Sequence, residues 1–136
     1  AHALRDGHHV TAFVRNPEKV TLKDKNLQII QGNVLNKQDV ERAMSGKDLV
    51  ISALNTDQTT TLSESMPLIL EAMKKESIKR IITVGTAGIL QSRTTPDVLR
   101  YQSTESKRKL TRAAEEHHKA YEILYGELSC RTKFFA

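Results

Sequence analysis

The sequence predicts an α/β domain with a doubly wound parallel sheet, on three observations. Short apolar segments alternate with segments whose apolar residues recur at helical spacing, in the order β-β-α-β-α-β-α-(β). One short segment, Leu49-Val50-Ile51-Ser52-Ala53-Leu54, is a nearly unbroken apolar run, the mark of a strand covered on both faces. Across 136 residues no internal repeat and no low-complexity linker divides the chain, so a single domain over residues 1–136 is expected.

Ala1-His2-Ala3-Leu4-Arg5-Asp6-Gly7 reads as the closing turns of a helix, with Gly7 as its C-terminal glycine. His9-Val10-Thr11-Ala12-Phe13-Val14 then alternates, with Val10, Ala12 and Val14 on one face, as a strand requires. Pro17 stops it, because its ring forces Asn16 out of the helical region, and residues 18–25 are polar enough for a loop or short surface helix. Leu27-Gln28-Ile29-Ile30-Gln31-Gly32 is a second strand. Asn36 caps a helix with Asp39 three residues on; Val40, Ala43 and Met44 form its apolar stripe and Gly46 ends it. After the apolar run at 49–54, residues 55–65 are rich in Thr and Ser and read as a loop. The loop leads into a helix whose first turn holds Pro67 and whose buried stripe is Met66, Ile69, Leu70 and Met73. Ile78-Lys79-Arg80-Ile81-Ile82-Thr83-Val84 is a further buried strand, closed by the small residues Gly85-Thr86-Ala87-Gly88. A second long loop covers about 89–103. Leu110, Ala113, Ala114, His117, Tyr121 and Leu124 then fall at helical spacing, predicting a helix from Thr104 to about Tyr125. The alternating tail at 128–134 fits an edge strand guarded by Arg131 and Lys133.

Composition narrows the function classes. With 38% hydrophobic and 27% charged residues and one Cys, the chain is neither collagen-like nor disulfide-stapled, and Cys130 reads as a small semi-buried apolar residue. No apolar run reaches the roughly 20 residues that cross a bilayer, and the first residues are too polar and too short for a secretory signal. A cytoplasmic protein without a membrane partner is therefore expected. The net charge of +5 attracts phosphate-bearing ligands, but three Tyr, three Phe and no Trp leave little to stack on bases. Lys107-Arg108-Lys109 reads as a solvated helix face, so no nucleic-acid partner is expected.

In parallel α/β sheets, ligands bind beyond the carboxyl ends of the strands, where strand order reverses. Those positions here are Val14-Arg15-Asn16, Gly32-Asn33-Val34, Ala53-Leu54-Asn55 and Val84-Gly85-Thr86-Ala87. With His9 to Arg15, Asp48 to Leu54, Ala72-Met73-Lys74 and Glu116-His117, they carry a family resemblance from about Gly7 to Leu124. The chain resembles the atypical short-chain dehydrogenases of the NAD(P)-binding, NmrA-like type, and within them the biliverdin-IXβ/flavin reductase subgroup. The resemblance implies a Rossmann-like fold, NADP as cofactor, and NADPH-dependent reduction of a flavin, quinone or similar small-molecule acceptor. An Arg after the second strand of such folds reaches the 2′-phosphate of NADP, a role the resemblance gives to Arg15, with Lys19 as a second cation. Asn33 and Val34 match the pair that holds the adenine, with Asn33 where the family usually has Asp. Leu54 and Asn55 would flank the ribose and diphosphate, and Asn55 stands where a small Gly is more usual. Gly85 would lie by the nicotinamide together with Thr86 and Ala87.

The chain also departs from that pattern. Ala87 stands where the reductase subgroup has a Ser, and no Tyr-x-x-x-Lys pair occupies its expected place. The catalytic candidates are therefore Thr86, the nearest hydroxyl, and His117, on the inward stripe of the last predicted helix. Glu115, Glu116, His117 and His118 crowd successive faces, and no metal site is expected. The family's first strand and Gly-rich turn, which offer N–H groups to the pyrophosphate, would precede Ala1; the Arg-Pro that closes its next strand is absent from residues 127–136. The sheet is thus expected to be incomplete at both ends, with a gap or re-paired strands where the first strand would lie. The alternative reading, favoured by Ala87 and the missing Tyr-Lys pair, is a non-catalytic NADP-binding redox sensor or scaffold. Acceptor identity and oligomeric state are left open by the sequence.

Overall fold

The computed structural model describes residues 1–56, 59–106 and 111–127, together with the backbone of Arg131–Phe135. The strands are as short as the apolar runs that form them: β1 (Val10–Val14), β2 (Leu27–Gln31), β3 (Val50–Ser52), β4 (Arg80–Val84) and β5 (Arg131–Phe135). Between them lie α1 (His2–Arg5), α2 (Lys37–Met44), α3 (Thr61–Lys75) and α4 (Arg112–Gly126). Short 3-10 turns occupy Pro17–Lys19, Ala87–Ile89 and Arg100–Gln102.

Every strand pairing is parallel, as the alternation of strands with crossover helices requires. β1 lies against β2 with Val10 opposite Leu27 and Val14 opposite Gln31. β4 takes β3 on one side and β5 on the other, so the tail is the outer strand of its sheet, as its alternation predicts. The sheet is interrupted, as expected where the family's first strand would lie: β1–β2 and β3–β4–β5 are separate, and no pairing joins β1 to β3 among the described residues. The reading of 49–54 as covered on both faces is corrected. Ile51 is 61% exposed and Val84 49% exposed, while Ile81 and Thr83 on the opposite face of β4 are buried. Helices cover one face of these strands, so the pattern on β4 is the alternating one of a half-buried sheet.

The core is centred on α3. Leu62, Met66, Ile69, Leu70 and Met73 meet Val40 and Met44 of α2, Ile81 of β4, and Ala120 and Leu124 of α4; Phe13, Val34, Val50 and Leu54 pack against its margin. α3 starts at Thr61, well before Pro67, so the proline stands in the second turn rather than the first. Two causes extend the helix upstream. The Thr60 hydroxyl donates to the Glu64 carboxylate at 2.5 Å, and burial of Leu62 and Ser65 turns part of the polar run inward. On the exposed side, Lys37 pairs with Glu71 at 2.5 Å and Lys75 with Glu41 at 2.9 Å, orienting α2 on α3 across solvent that screens both pairs.

α4 departs more from expectation. It begins at Arg112 rather than Thr104, and its buried line is Glu116, Ala120 and Leu124, four residues apart, rather than the stripe through His117 and Tyr121. Ala120 admits close approach to α3, and the rotation is pinned by Ser63, whose hydroxyl donates to Glu116 at 2.7 Å. Burial pushes the Glu116 carboxyl up, but the Ser63 hydroxyl and the Lys119 ammonium outweigh it and hold the group below its ordinary pKa. Leu110, Lys107-Arg108-Lys109 and Cys130 lie outside the described residues. No helix among the described residues is long and apolar enough to cross a membrane.

Candidate functional site

Parallel pairing brings the carboxyl ends of the strands in each sheet to a common end, and the predicted cofactor residues stand there. Arg15 and Lys19 are exposed beyond β1, on the two sides of the bend that Pro17 imposes. The Gln31 side chain donates its Nε2 to the Arg15 carbonyl at 3.2 Å, and the Gly32 N–H reaches the Val14 carbonyl at 3.1 Å, so the ends of β1 and β2 are held together. Gly32 is required by space: a Cβ there would sit 2.4 Å from the Phe13 ring and 3.0 Å from Asp39 Cβ.

Asn33 opens the turn that follows. Its Oδ1 accepts from the Leu35 N–H at 2.9 Å, and its own N–H donates to Asp39 Oδ2 at 3.0 Å. Arg42 completes the frame by donating to Asp39 Oδ1 and to the Gln31 carbonyl, each at 3.0 Å. One lone pair of the Asn33 oxygen and its NH2 group face no partner within this frame, which leaves both an acceptor and donors for an adenine edge. Val34 and Leu54 are half-buried against the core margin, and Asn55 is exposed. Asp39 was legible only as the capping partner of Asn36, a bond its backbone N–H does make at 3.2 Å; its carboxylate bonds are the added finding.

At the end of β4, Gly85 is half-buried and Thr86 caps the turn Ala87–Ile89, its Oγ1 accepting from the Gly88 N–H at 3.4 Å. A cavity of about 300 Å³ opens there, with Thr86, Ala87, Gly88, Arg100, Tyr101 and Thr111 among its walls. Gly88 fits because a Cβ would come within 3.1 Å of Ala114 Cβ on α4, so any side chain would push the turn off the helix. The loop after this turn is tied down. Glu105 accepts from the Ser92 hydroxyl and the Arg93 N–H, both at 2.7 Å, and these bonds hold its carboxyl below its ordinary pKa.

That loop delivers a residue the sequence reading missed. Tyr101 forms a wall of the cavity, and its hydroxyl lies 3.1 Å from His118 Nδ1 on α4, the rings meeting edge to face with centroids 6.0 Å apart. Gln102 donates its Nε2 to the same hydroxyl at 3.2 Å while its Oε1 accepts from the Leu99 N–H at 3.1 Å, which fixes the amide's orientation. His118 Nε2 stands 3.7 Å from Glu122. Burial, reinforced by the Glu115 charge, pushes the Tyr101 hydroxyl above its ordinary pKa, so it is a protonated donor at neutral pH. The signal in the sequence was the pair of adjacent histidines; the rotation of α4 decides which of them meets the loop.

His117 lines neither this cavity nor a second one of about 280 Å³ lined by Gln91, Pro96, Asp97, Leu99, Gln102 and His118. Its Nδ1 is buried with no hydrogen-bond partner. Burial holds its pKa below the ordinary value of 6.5, against an opposing pull from the Glu116 charge. Because the folded value is depressed, the unfolded chain binds this proton first, and stability is lost as pH falls through and below 6.5. The melting temperature is expected to drop between about pH 7.5 and about pH 5.5, and the His117→Leu variant to drop less over that interval. Parallel curves for the two proteins would exclude His117 as the source. Among the described residues no group of three or more His, Cys, Asp or Glu side chains could hold a metal ion.

The donor set suits a nicotinamide dinucleotide at its two ends: cations and an Asn edge beyond β1 and β2, and a small-residue turn beside a cavity beyond β4. The chain is similar to known proteins. A family model described as NAD(P)H-binding matches residues 1–127. A candidate epimerase from Bacteroides thetaiotaomicron is 29% identical with a TM-score of 0.82, over 98% of this chain and 61% of its own. A candidate NADH-flavin reductase from Streptococcus pneumoniae TIGR4 is 24% identical, TM-score 0.76, over 98% of this chain and 61% of its own. The anaerobillin reductase of Escherichia coli O157:H7 is 20% identical, TM-score 0.74, over 98% of this chain and 62% of its own. At the last two identities the likeness shows the fold alone. The fold is thus that of the Rossmann-like nucleotide-binding proteins, and the chain spans about 61% of the length of these solved structures. The chain belongs to the NAD(P)H-binding family.

Proposed function

We propose that the protein uses NADPH to reduce a flavin, quinone or similar small acceptor. The observation that carries this reading is the cavity beyond β4, whose walls include Thr86, the small residues Ala87 and Gly88, and the ring of Tyr101. Such a cavity admits a planar ring beside the turn where the nicotinamide of a parallel α/β fold would end. When bound, the cofactor supplies hydride; the chain's part is to hold the two rings in register and exclude water. Arg15 and Lys19 would hold the 2′-phosphate, Asn33 and Val34 the adenine, Leu54 and Asn55 the ribose and diphosphate, and Gly85 the nicotinamide end. Arg15 is the reason for naming NADP, since a guanidinium donates two parallel bonds to a phosphate. The names of the pneumococcal and Escherichia coli proteins are those of reductases, the pneumococcal one with NADH, which supports the reduction but not the choice of NADPH. The partner in this reading is a small molecule rather than a nucleic acid or a membrane, and the setting is cytoplasmic.

A second reading is supported by one observation: Ala87 brings only a methyl group to the cavity where an acid would be useful. It makes the protein a non-catalytic NADP-binding redox sensor or scaffold. Titration with NADPH and NADH side by side, read by cofactor fluorescence without interference because the chain has no Trp, tests the cofactor. NADPH-selective binding is expected. Oxidation of the bound NADPH on adding flavin or quinone supports the reductase, binding without oxidation supports the sensor, and no binding of either cofactor refutes both.

A further inference from the structure

We propose that Tyr101 is the proton donor of this site, acting on the carbonyl oxygen of a quinone-type acceptor in the cavity beside Thr86, and that His118 resupplies its proton. The proposal rests on the reductase reading and supplies the acid that neither Ala87 nor a Tyr-x-x-x-Lys pair provides. The grounds are geometric. Tyr101 is a wall of the cavity, its hydroxyl is hydrogen-bonded to His118 Nδ1 at 3.1 Å, and the Glu122 carboxylate stands 3.7 Å from His118 Nε2. The His118 side chain is 28% exposed, so protons reach its ring from water. Gln102 donates to the hydroxyl from another direction, fixing the oxygen without consuming its proton. Glu115, Lys119 and Glu122 of α4 are the charged groups that act on Tyr101.

The step balances as follows. A bound nicotinamide would supply the hydride, its oxidation balancing reduction of the quinone, and one further proton completes the hydroquinone. The Tyr101 O–H bond breaks; its proton passes to the acceptor oxygen and its electron pair stays on the phenolate oxygen. Protonated His118 then gives its Nδ1 proton to that oxygen, and the imidazole regains a proton from solvent. Four positions beyond Tyr101 stands Glu105 rather than a Lys, engaged by Ser92 and Arg93, and the side chain that meets the phenol, His118, comes from α4.

The test pairs kinetics with a readout that needs no turnover. In Tyr101→Phe, kcat with NADPH and a benzoquinone is expected to fall at least about 100-fold, the scale of general acid catalysis, with NADPH affinity unchanged within about twofold. In His118→Ala, added imidazole is expected to restore much of the lost rate, which a packing role would not permit. Independently, nitrogen-15 NMR of the cofactor-free protein should show His118 Nδ1 hydrogen-bonded, and Tyr101→Phe should move that resonance more than Nε2. An unmoved Nδ1 overturns the relay whatever the protein's activity. Full turnover in Tyr101→Phe, or a His118→Ala defect that imidazole leaves untouched, overturns the relay and spares the reductase. NADPH binding without quinone turnover in the parent overturns the reductase reading and the donor role together.

Discussion

Arg15→Glu is expected to weaken NADPH binding by about 30- to 100-fold while leaving NADH binding within about threefold. Charge-assisted hydrogen bonds contribute about 1.5–3 kcal/mol, and each 1.4 kcal/mol is about tenfold in affinity. Reversing the charge adds repulsion of the 2′-phosphate, a group that NADH lacks. The fold should tolerate the change, because Arg15 is exposed. Equal weakening of both cofactors, measured by fluorescence titration, would place Arg15 against a part they share and remove the reason for naming NADP.

Met66→Ala carries the largest expected cost to stability. Met66 is fully buried at the centre of α3, among Val40, Ile69, Leu70 and Met73, where four elements converge. Truncating a buried methionine costs about 2–5 kcal/mol through lost transfer free energy and the cavity left behind, against a total of about 5–15 kcal/mol for a domain. Leu22→Ala removes a comparable side chain at a position 44% exposed and should change stability by less than about 0.5 kcal/mol. Denaturant midpoints for the two variants check the contrast. Similar losses would mean that the packing around α3 is not what holds the chain folded.

The fold was legible wherever apolar spacing was the signal. The strands at Val10–Val14, Leu27–Gln31 and Arg80–Val84, and the stripe Met66, Ile69, Leu70 and Met73, needed no other information. α4 was misread by one residue of rotation because its buried line begins with a glutamate, a residue that carries no apolar signal. Glu116 is buried because Ser63, 53 positions away in the chain, satisfies it, and such pairing is invisible to periodicity. The same rotation moves the histidine that meets the cavity loop from His117 to His118. Tyr101 went unnoticed because the search was for a motif within one segment, whereas its partner lies 17 residues on and meets it only after the loop has folded back.

The separation of the two sheets carries a further consequence, one of unequal local stability. β1 and β2 form a ladder of two strands, whereas β3 and β4 lie under α3, the most buried helix of the chain. Amide protons of the β1–β2 ladder should therefore exchange with solvent at a lower opening free energy than those of β4, because fewer buried contacts must break. Arg15 and Asn33 follow the ends of the weaker ladder, whereas Thr86 follows the end of β4 in the stronger sheet. A dinucleotide that bridged them would bind only the closed form of the ladder, and by mass action its amides would then exchange as slowly as those of β4.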